Sequence, residues 1–149
     1  MKILFVCTGN TCRSPMAQAI AKCRIKKLGL DKIIRIDSAG LCTNAGESVN
    51  PKAKEALKKL GIPTPKGKAK NIDLNKINKY KLIITMTSSQ KEKINSNNCF
   101  SIYDFCKFEI IDPFGQSQQV YDETAKQIEL AVEIILKKIL GERYDISSK

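Results

Sequence analysis

Histidine is absent from all 149 residues. That removes Ser-His-Asp and Cys-His nucleophile activation, and every histidine-ligated metal site. Long apolar runs are missing too. The N-terminal Ile3 to Val6 run is too short for a signal-peptide core and meets polar residues at once, and nothing resembles a membrane span. A cytoplasmic location with no membrane partner is the expectation. Acidic residues are scarce: 15 Asp and Glu face 26 Lys and Arg, a net charge of +11. Such a charge favours anionic partners. The basic residues are nevertheless spread along the chain without aromatic interleaving, so nucleic acid is not an expected partner. There are six cysteines but no C-x-x-C spacing, which argues against a zinc ribbon or a thioredoxin-type motif. Repeats, linkers and low-complexity tracts are lacking. The length suits one domain over residues 1–149, able to bury a core without disulfide or metal.

What is present alternates between strand and helix patterns. KILFV (Lys2 to Val6) reads as a buried strand. Ser14 and Pro15 read as N-cap and first residue of a helix whose apolar stripe, Met16, Ile20 and Cys23, ends at Leu28-Gly29. Lys32 to Asp37 is the second strand, closed by Ser38-Ala39-Gly40. Pro51 to Leu60 is a helix stopped by Gly61, and a polar connection leads to a third strand, Lys81 to Met86. Ser88 to Ile94 is a short helix, Cys99 to Tyr103 a fourth strand, and the stripe from Val120 to Leu140 a long last helix ending at Gly141. This order predicts an α/β fold, a parallel sheet covered on both faces. Ligands of such sheets sit outside the carboxyl ends of the strands, where Cys7, Ser38 and Thr87 should gather.

The segment CTGNTCRSP (Cys7 to Pro15) occupies that edge. Thr8, Gly9, Asn10, Thr11 and Cys12 can curl so that successive N–H groups point inward, with Asn10 tolerant of the left-handed region. The following helix adds free N–H groups and a positive dipole end, and Arg13 a planar fork of donors for a phosphate-like oxyanion. Cys7 at the base of this cradle lies in a field that stabilises a thiolate, so no histidine is needed. Ser14 can donate to that sulfur. A thiolate in a phosphate nest suggests covalent phosphoryl transfer without metal or cofactor. The Walker loop fails as a rival, since Gly61 to Ala69 has one residue too many and ends in alanine. Asp112, held extended before Pro113, is the candidate acid for the leaving group and base for the hydrolytic water.

CTGNTCRSP, the SAG after the second strand, and DPFG before the last helix together resemble the low-molecular-weight protein-tyrosine-phosphatase family over essentially the whole chain. The resemblance implies a four-stranded parallel sheet flanked by helices, and a phosphocysteine intermediate without metal. It implies Cys7 as nucleophile, Arg13 as phosphate clamp, Asp112 as general acid/base, and Asn10 and Ser14 as loop-shaping groups. Tyrosine phosphatases of the family usually carry bulky aliphatics where this loop has Thr8 and Thr11. They also place aromatics in the loop after strand two and directly after Asp-Pro. Here Leu41 to Asn50 has none, and Phe114 is followed by Gly115. These features are similar to the bacterial protein-arginine phosphatases and make Thr11 and Phe114 the expected specificity residues. Phosphorylated proteins are the implied substrates, and a monomer is expected.

Three readings stand beside this one. The first is a tyrosine phosphatase of the same fold. The second is a thiol-dependent arsenate reductase, for which Met86-Thr87-Ser88 lacks the expected relay thiol although Cys99 and Cys106 remain available. The third, a phosphate-binding module, gains nothing from Asp112. The spacing of Cys7 and Cys12 also predicts a reversible disulfide under oxidant that switches activity off.

Overall fold

The computed structural model describes residues 1–141; residues 142–149, the end of the expected domain, lie outside the described part. Strands β1 (Lys2–Cys7), β2 (Arg35–Gly40), β3 (Leu82–Thr85) and β4 (Cys99–Ser101) form one sheet in the order β2-β1-β3-β4. All neighbouring pairs are parallel. Along β1 the side chains alternate between two apolar clusters. Ile3, Phe5 and Cys7 join Met16, Ile20, Leu57, Tyr121 and Ile128, whereas Leu4 and Val6 join Ala39, Ile83 and Ile94 on the other face. This period of two is why both faces need helical cover.

The first cluster is closed by α1 (Arg13–Lys27), α2 (Pro51–Lys59) and α5 (Gln118–Leu140). In α5 the stripe Tyr121, Ala125, Ile128, Ala131, Val132 and Ile135 is buried as the sequence pattern indicated, while Val120 and Ile139 lie only partly covered at its edges. The second face is covered by α3 (Ser88–Ile94) and by Ile72, Ile77 and Tyr80 from the connection ahead of β3.

Several expected boundaries shift, the third strand to Leu82–Thr85 among them, and three have a visible local reason. The first helix begins at Arg13, with Cys12 rather than Ser14 at the N-cap position and no side-chain cap. Ser14 is drawn to Cys7 instead, and Pro15 is tolerated because first-turn N–H groups have no helical partner. The second strand runs Arg35–Gly40, so Ser38 lies inside it, opposite Phe5, while Lys32 and Ile33 belong to the preceding turn. The fourth strand stops at Ser101, whose side chain accepts from the Asp104 N–H. Asp104 in turn accepts from the Ser101 N–H, a capping box that starts α4 (Ile102–Cys106). The polar connection contains a 3₁₀ turn, Leu74–Lys79, capped by Asp73.

The chain passes from β1 to β2 on one side of β1 and then to β3 on the other. The crevice at such a reversal, outside the carboxyl end of β1, is where ligands of open α/β sheets bind. Cys7 is the last residue of that strand.

Candidate active site

Between β1 and α1 the chain turns through Asn10, whose φ of 56° lies in the left-handed region. The turn aims the Asn10 N–H at the Cys7 sulfur, 3.3 Å away. The Ser14 Oγ lies 2.9 Å from the same sulfur. Asn10 Nδ2 donates to Ser14 Oγ at 2.8 Å, so that oxygen is already accepting and its own hydrogen is free for the sulfur. The alternative acceptor, the Ala39 carbonyl, is farther at 3.4 Å.

Asn10 is saturated. Its amide nitrogen also donates to Ser38 Oγ at 3.0 Å, and its Oδ1 accepts the Lys70 N–H at 3.1 Å. Ser38 passes its own hydrogen to Gln18 Oε1 at 2.7 Å. A chain of bonds thus runs from Cys7 through Ser14, Asn10 and Ser38 to Gln18, tying β1, its loop, β2 and α1 together. Cys7, Asn10, Arg13, Ser14 and Ser38 are all buried. The loop after β2 is laced to the same turn, the Leu41 N–H donating to the Cys7 carbonyl and the Cys42 N–H to that of Thr8, both at 3.0 Å. Gly40 permits this approach. A Cβ there would lie 2.6 Å from the Thr8 carbonyl oxygen and strike the Thr43 methyl.

Arg13 donates from Nη1 to the Ile110 carbonyl at 2.9 Å, and its Nη2 stands 3.7 Å from Asp112 Oδ2. Ile110 is pinned by its own N–H to the Met86 carbonyl at the end of β3. Asp112 Oδ1 accepts the Phe114 N–H at 3.0 Å, and its side chain is 53% exposed. The guanidinium is therefore held from behind, and the carboxylate stands beside it at the opening.

These groups line a cleft of about 280 Å³ containing Cys7 to Arg13, Asp112 and Phe114, together with Cys42, Thr43, Asn44 and Glu47 from the loop after β2. The Cys7 sulfur with its Asn10 N–H, the guanidinium and the carboxylate share this cleft, a set suited to binding a tetrahedral oxyanion against a nucleophile. Of the residues the sequence assigned to this edge, Cys7 to Arg13, Asp112 and Phe114 line the cleft, Ser14 is buried against the Cys7 sulfur, and Ser38 and Thr87 do not line it. Cys99 lies in the second apolar cluster and Cys106 is packed against the first, so neither joins the cleft.

The two thiols of the loop are free and differ in setting. Cys12 is buried with its sulfur 3.3 Å from the Tyr121 hydroxyl. Burial pushes the Cys12 thiol up, against the opposing effect of its bonds to Tyr121 and Thr11. Tyr121 is pushed well above the ordinary phenol range, chiefly by burial and then by its bond to Cys12. Ser38, expected at this edge, does reach the Asn10 turn, whereas Gln18, Lys70, Gln90 and Tyr121 escape a local reading because each acts across twenty residues or more. One signal was available: Thr87-x-x-Gln90 is a capping box, and its Gln90 Nε2 reaches Thr8 Oγ1 at 3.1 Å.

A family model described as low molecular weight phosphotyrosine protein phosphatase matches residues 2–144. The low molecular weight protein-tyrosine-phosphatase PtpB of Staphylococcus haemolyticus is 38% identical over 135 residues, 86% of this chain and 92% of that protein. The protein-arginine-phosphatase of Bacillus subtilis is 30% identical over 161 residues, 96% of this chain and 99% of the other. Among solved structures, the YwlE arginine phosphatase C7S mutant with phosphorylated active-site serine superposes with a TM-score of 0.86 at 29% identity, covering 96% of this chain and 98% of that one. The chain thus has the four-stranded parallel fold of these phosphatases and belongs to the low molecular weight phosphotyrosine protein phosphatase family.

Proposed function

We propose that this protein phosphatase hydrolyses phosphoarginine residues in proteins through a phosphocysteine on Cys7. In the first step the Cys7 thiolate attacks phosphorus, the S–P bond forms, and the P–N bond breaks as Asp112 gives its proton to the leaving guanidine nitrogen. Water then attacks phosphorus and loses a proton to Asp112. The S–P bond breaks, and the Ser14 hydroxyl steadies the departing thiolate. Arg13 and the N–H groups of residues 8 to 14 hold the equatorial oxygens throughout. The phosphorylated serine in the neighbour whose Cys7 was replaced supports covalent transfer at this place. The reaction needs no cofactor, and the protein is read as a cytoplasmic monomer acting on phosphoproteins.

The observation that carries the phosphoarginine reading is the Thr11 hydroxyl. It lines the cleft, and its nearest bond among the described residues is a long 3.8 Å contact to the Cys12 sulfur. A hydroxyl so weakly engaged is available to a polar, planar phosphoguanidine, whereas an aliphatic side chain there would offer only methyl contact. Phosphotyrosine is the second reading, favoured by the tyrosine-phosphatase name of the 38% identical relative and by Phe114, which stands 69% exposed at the cleft.

The test compares kcat/KM on matched phosphoarginine and phosphotyrosine peptides for wild type and Thr11→Ile. Wild type is expected to favour phosphoarginine. Thr11→Ile should lose about five- to tenfold on phosphoarginine, the worth of one hydrogen bond, without losing phosphotyrosine turnover. A wild type that favours phosphotyrosine overturns the substrate assignment.

A further inference from the structure

Glu47 has no place in the reaction just described, yet it lies in the same cleft as Cys7 and Arg13. Its backbone is fastened on both sides. The Ala69 N–H donates to its carbonyl at 2.8 Å, its own N–H donates to the Asn44 carbonyl at 3.2 Å, and the preceding Gly46 N–H donates to the Ala69 carbonyl at 3.0 Å. The Asn44 side-chain amide donates to Glu47 Oε1 at 3.3 Å. Glu47 makes no ion pair among the described residues, in a chain with 26 basic side chains.

An unpaired carboxylate at an anion-binding cleft works against the anion. Its field repels a phosphoryl dianion, and next to a neutral phenyl ring it has nothing to pair with. The arrangement becomes favourable when the dianion is attached to a cation. A phosphoguanidine has that form: the phosphoryl group enters the cradle, and the delocalised positive charge points its remaining N–H donors back toward the opening. A carboxylate matches such a fork in geometry and in charge. Asp112, next to Arg13, is occupied with the leaving atom, so the outer side of the guanidinium falls to the loop after β2.

We infer that Glu47 is a specificity-determining residue that pairs with the guanidinium of a phosphoarginine substrate and disfavours substrates with a neutral leaving group. The inference rests on the phosphoarginine reading of this cleft but can fail separately from it.

The experiment measures kcat/KM of wild type, Glu47→Gln and Glu47→Lys on phosphoarginine and phosphotyrosine peptides of one sequence, together with inhibition by inorganic phosphate. Glu47→Gln should lose about threefold to fivefold on phosphoarginine, mainly in KM, as fits a solvent-exposed ion pair. Turnover of phosphotyrosine should hold or rise, and inorganic phosphate should inhibit about twofold more tightly. Glu47→Lys should deepen the phosphoarginine loss and tighten phosphate further. An unchanged ratio of the two substrates, or equal losses on both, overturns the role of Glu47. If wild type favours phosphotyrosine while Glu47→Gln still lowers only phosphoarginine turnover, the substrate assignment falls and Glu47 stands. If wild type favours phosphoarginine with an unmoved ratio, Glu47 falls and the substrate assignment stands. Melting curves of both variants identify any loss that comes from folding.

Discussion

At the floor of the cleft, Cys7, Asn10, Arg13 and Ser14 are each no more than 5% exposed, and hydrogen bonds within the protein anchor the Cys7 sulfur, the Asn10 amide, the Ser14 hydroxyl and one nitrogen of the Arg13 guanidinium. At its rim, Asp112 is 53% and Phe114 69% exposed, and Glu47 is open to solvent. The floor comes from one short loop and the strand and helix on either side of it. The rim comes from two loops far apart in sequence, after β2 and ahead of α5. A buried floor anchored in this way tolerates little change, because breaking one of its bonds leaves a buried polar group without a partner. An exposed rim can change side chains at little cost in stability, so substrate choice can vary there while the chemistry below stays the same.

Floor and rim substitutions should therefore differ in effect by orders of magnitude. Under the proposed mechanism, Cys7→Ser should remove at least about 10⁴-fold of kcat on an aryl phosphate, the scale seen when a catalytic nucleophile is deleted. Asp112→Asn should cost about 10²- to 10³-fold, as expected for general acid catalysis, and less with a good leaving group that needs no proton. Steady-state rates on p-nitrophenyl phosphate and on a phenyl phosphate with a poorer leaving group check both values. Turnover retained by Cys7→Ser would remove the nucleophile from the mechanism, whatever the rim then showed.

Gly40 tests whether the floor depends on its close approach to the loop after β2. Alanine there must push the Thr8 carbonyl, the Asn10 Cβ and the Thr43 methyl aside. Overpacking of this kind costs about 1–3 kcal/mol, or roughly 2–4 °C in Tm per kcal/mol for a domain of this size. Because the displaced atoms belong to the Cys7 turn, kcat should fall together with Tm. Calorimetry and rates on one preparation decide the point, and a fall in Tm with unchanged kcat would show that the floor tolerates movement of its neighbour.

How far the molecule could be read in advance follows the same division. Cys7, Arg13 and Ser14 were legible because their chemistry depends on spacing within a single turn, and the long α5 stripe because its period is strong. Ser14 is nevertheless not the cap its sequence suggests, since the helix already starts at Arg13 and the Ser14 hydroxyl is engaged by the Asn10 amide and the Cys7 sulfur. The second strand lies three residues later than the Lys32 to Asp37 its sequence predicts. Its ladder begins where the Arg35 N–H meets the Met1 carbonyl and runs on to Gly40, and the apolar pattern of KIIRID contains neither limit. Lys70 and Tyr121 are not legible in the sequence, and Gln90 is legible only as the last residue of its capping box. Their partners lie across the fold, with Tyr121 bonding to a cysteine 109 residues away.

Gln90 gives the smallest effect and the finest test of the boundary between floor and rim. It is buried in the first turn of α3, and its Oε1 accepts the N–H groups of Met86 at 3.0 Å and Thr87 at 3.1 Å. That fixes the orientation of the amide, so Nε2 must face Thr8 Oγ1. Because the Thr8 oxygen accepts this bond, its hydrogen is left to donate into the cleft. Gln90→Glu keeps the shape and both backbone bonds but turns the donor into an acceptor, which draws the Thr8 hydrogen away from substrate. The expected loss is about threefold in kcat/KM, within the range for one neutral hydrogen bond. A double-mutant cycle separates this from a general disturbance of α3: in a Thr8→Ala background, Gln90→Glu should cost nothing further in kcat/KM. An undiminished loss in that background would mean that Gln90 acts through the end of β3 and not through Thr8.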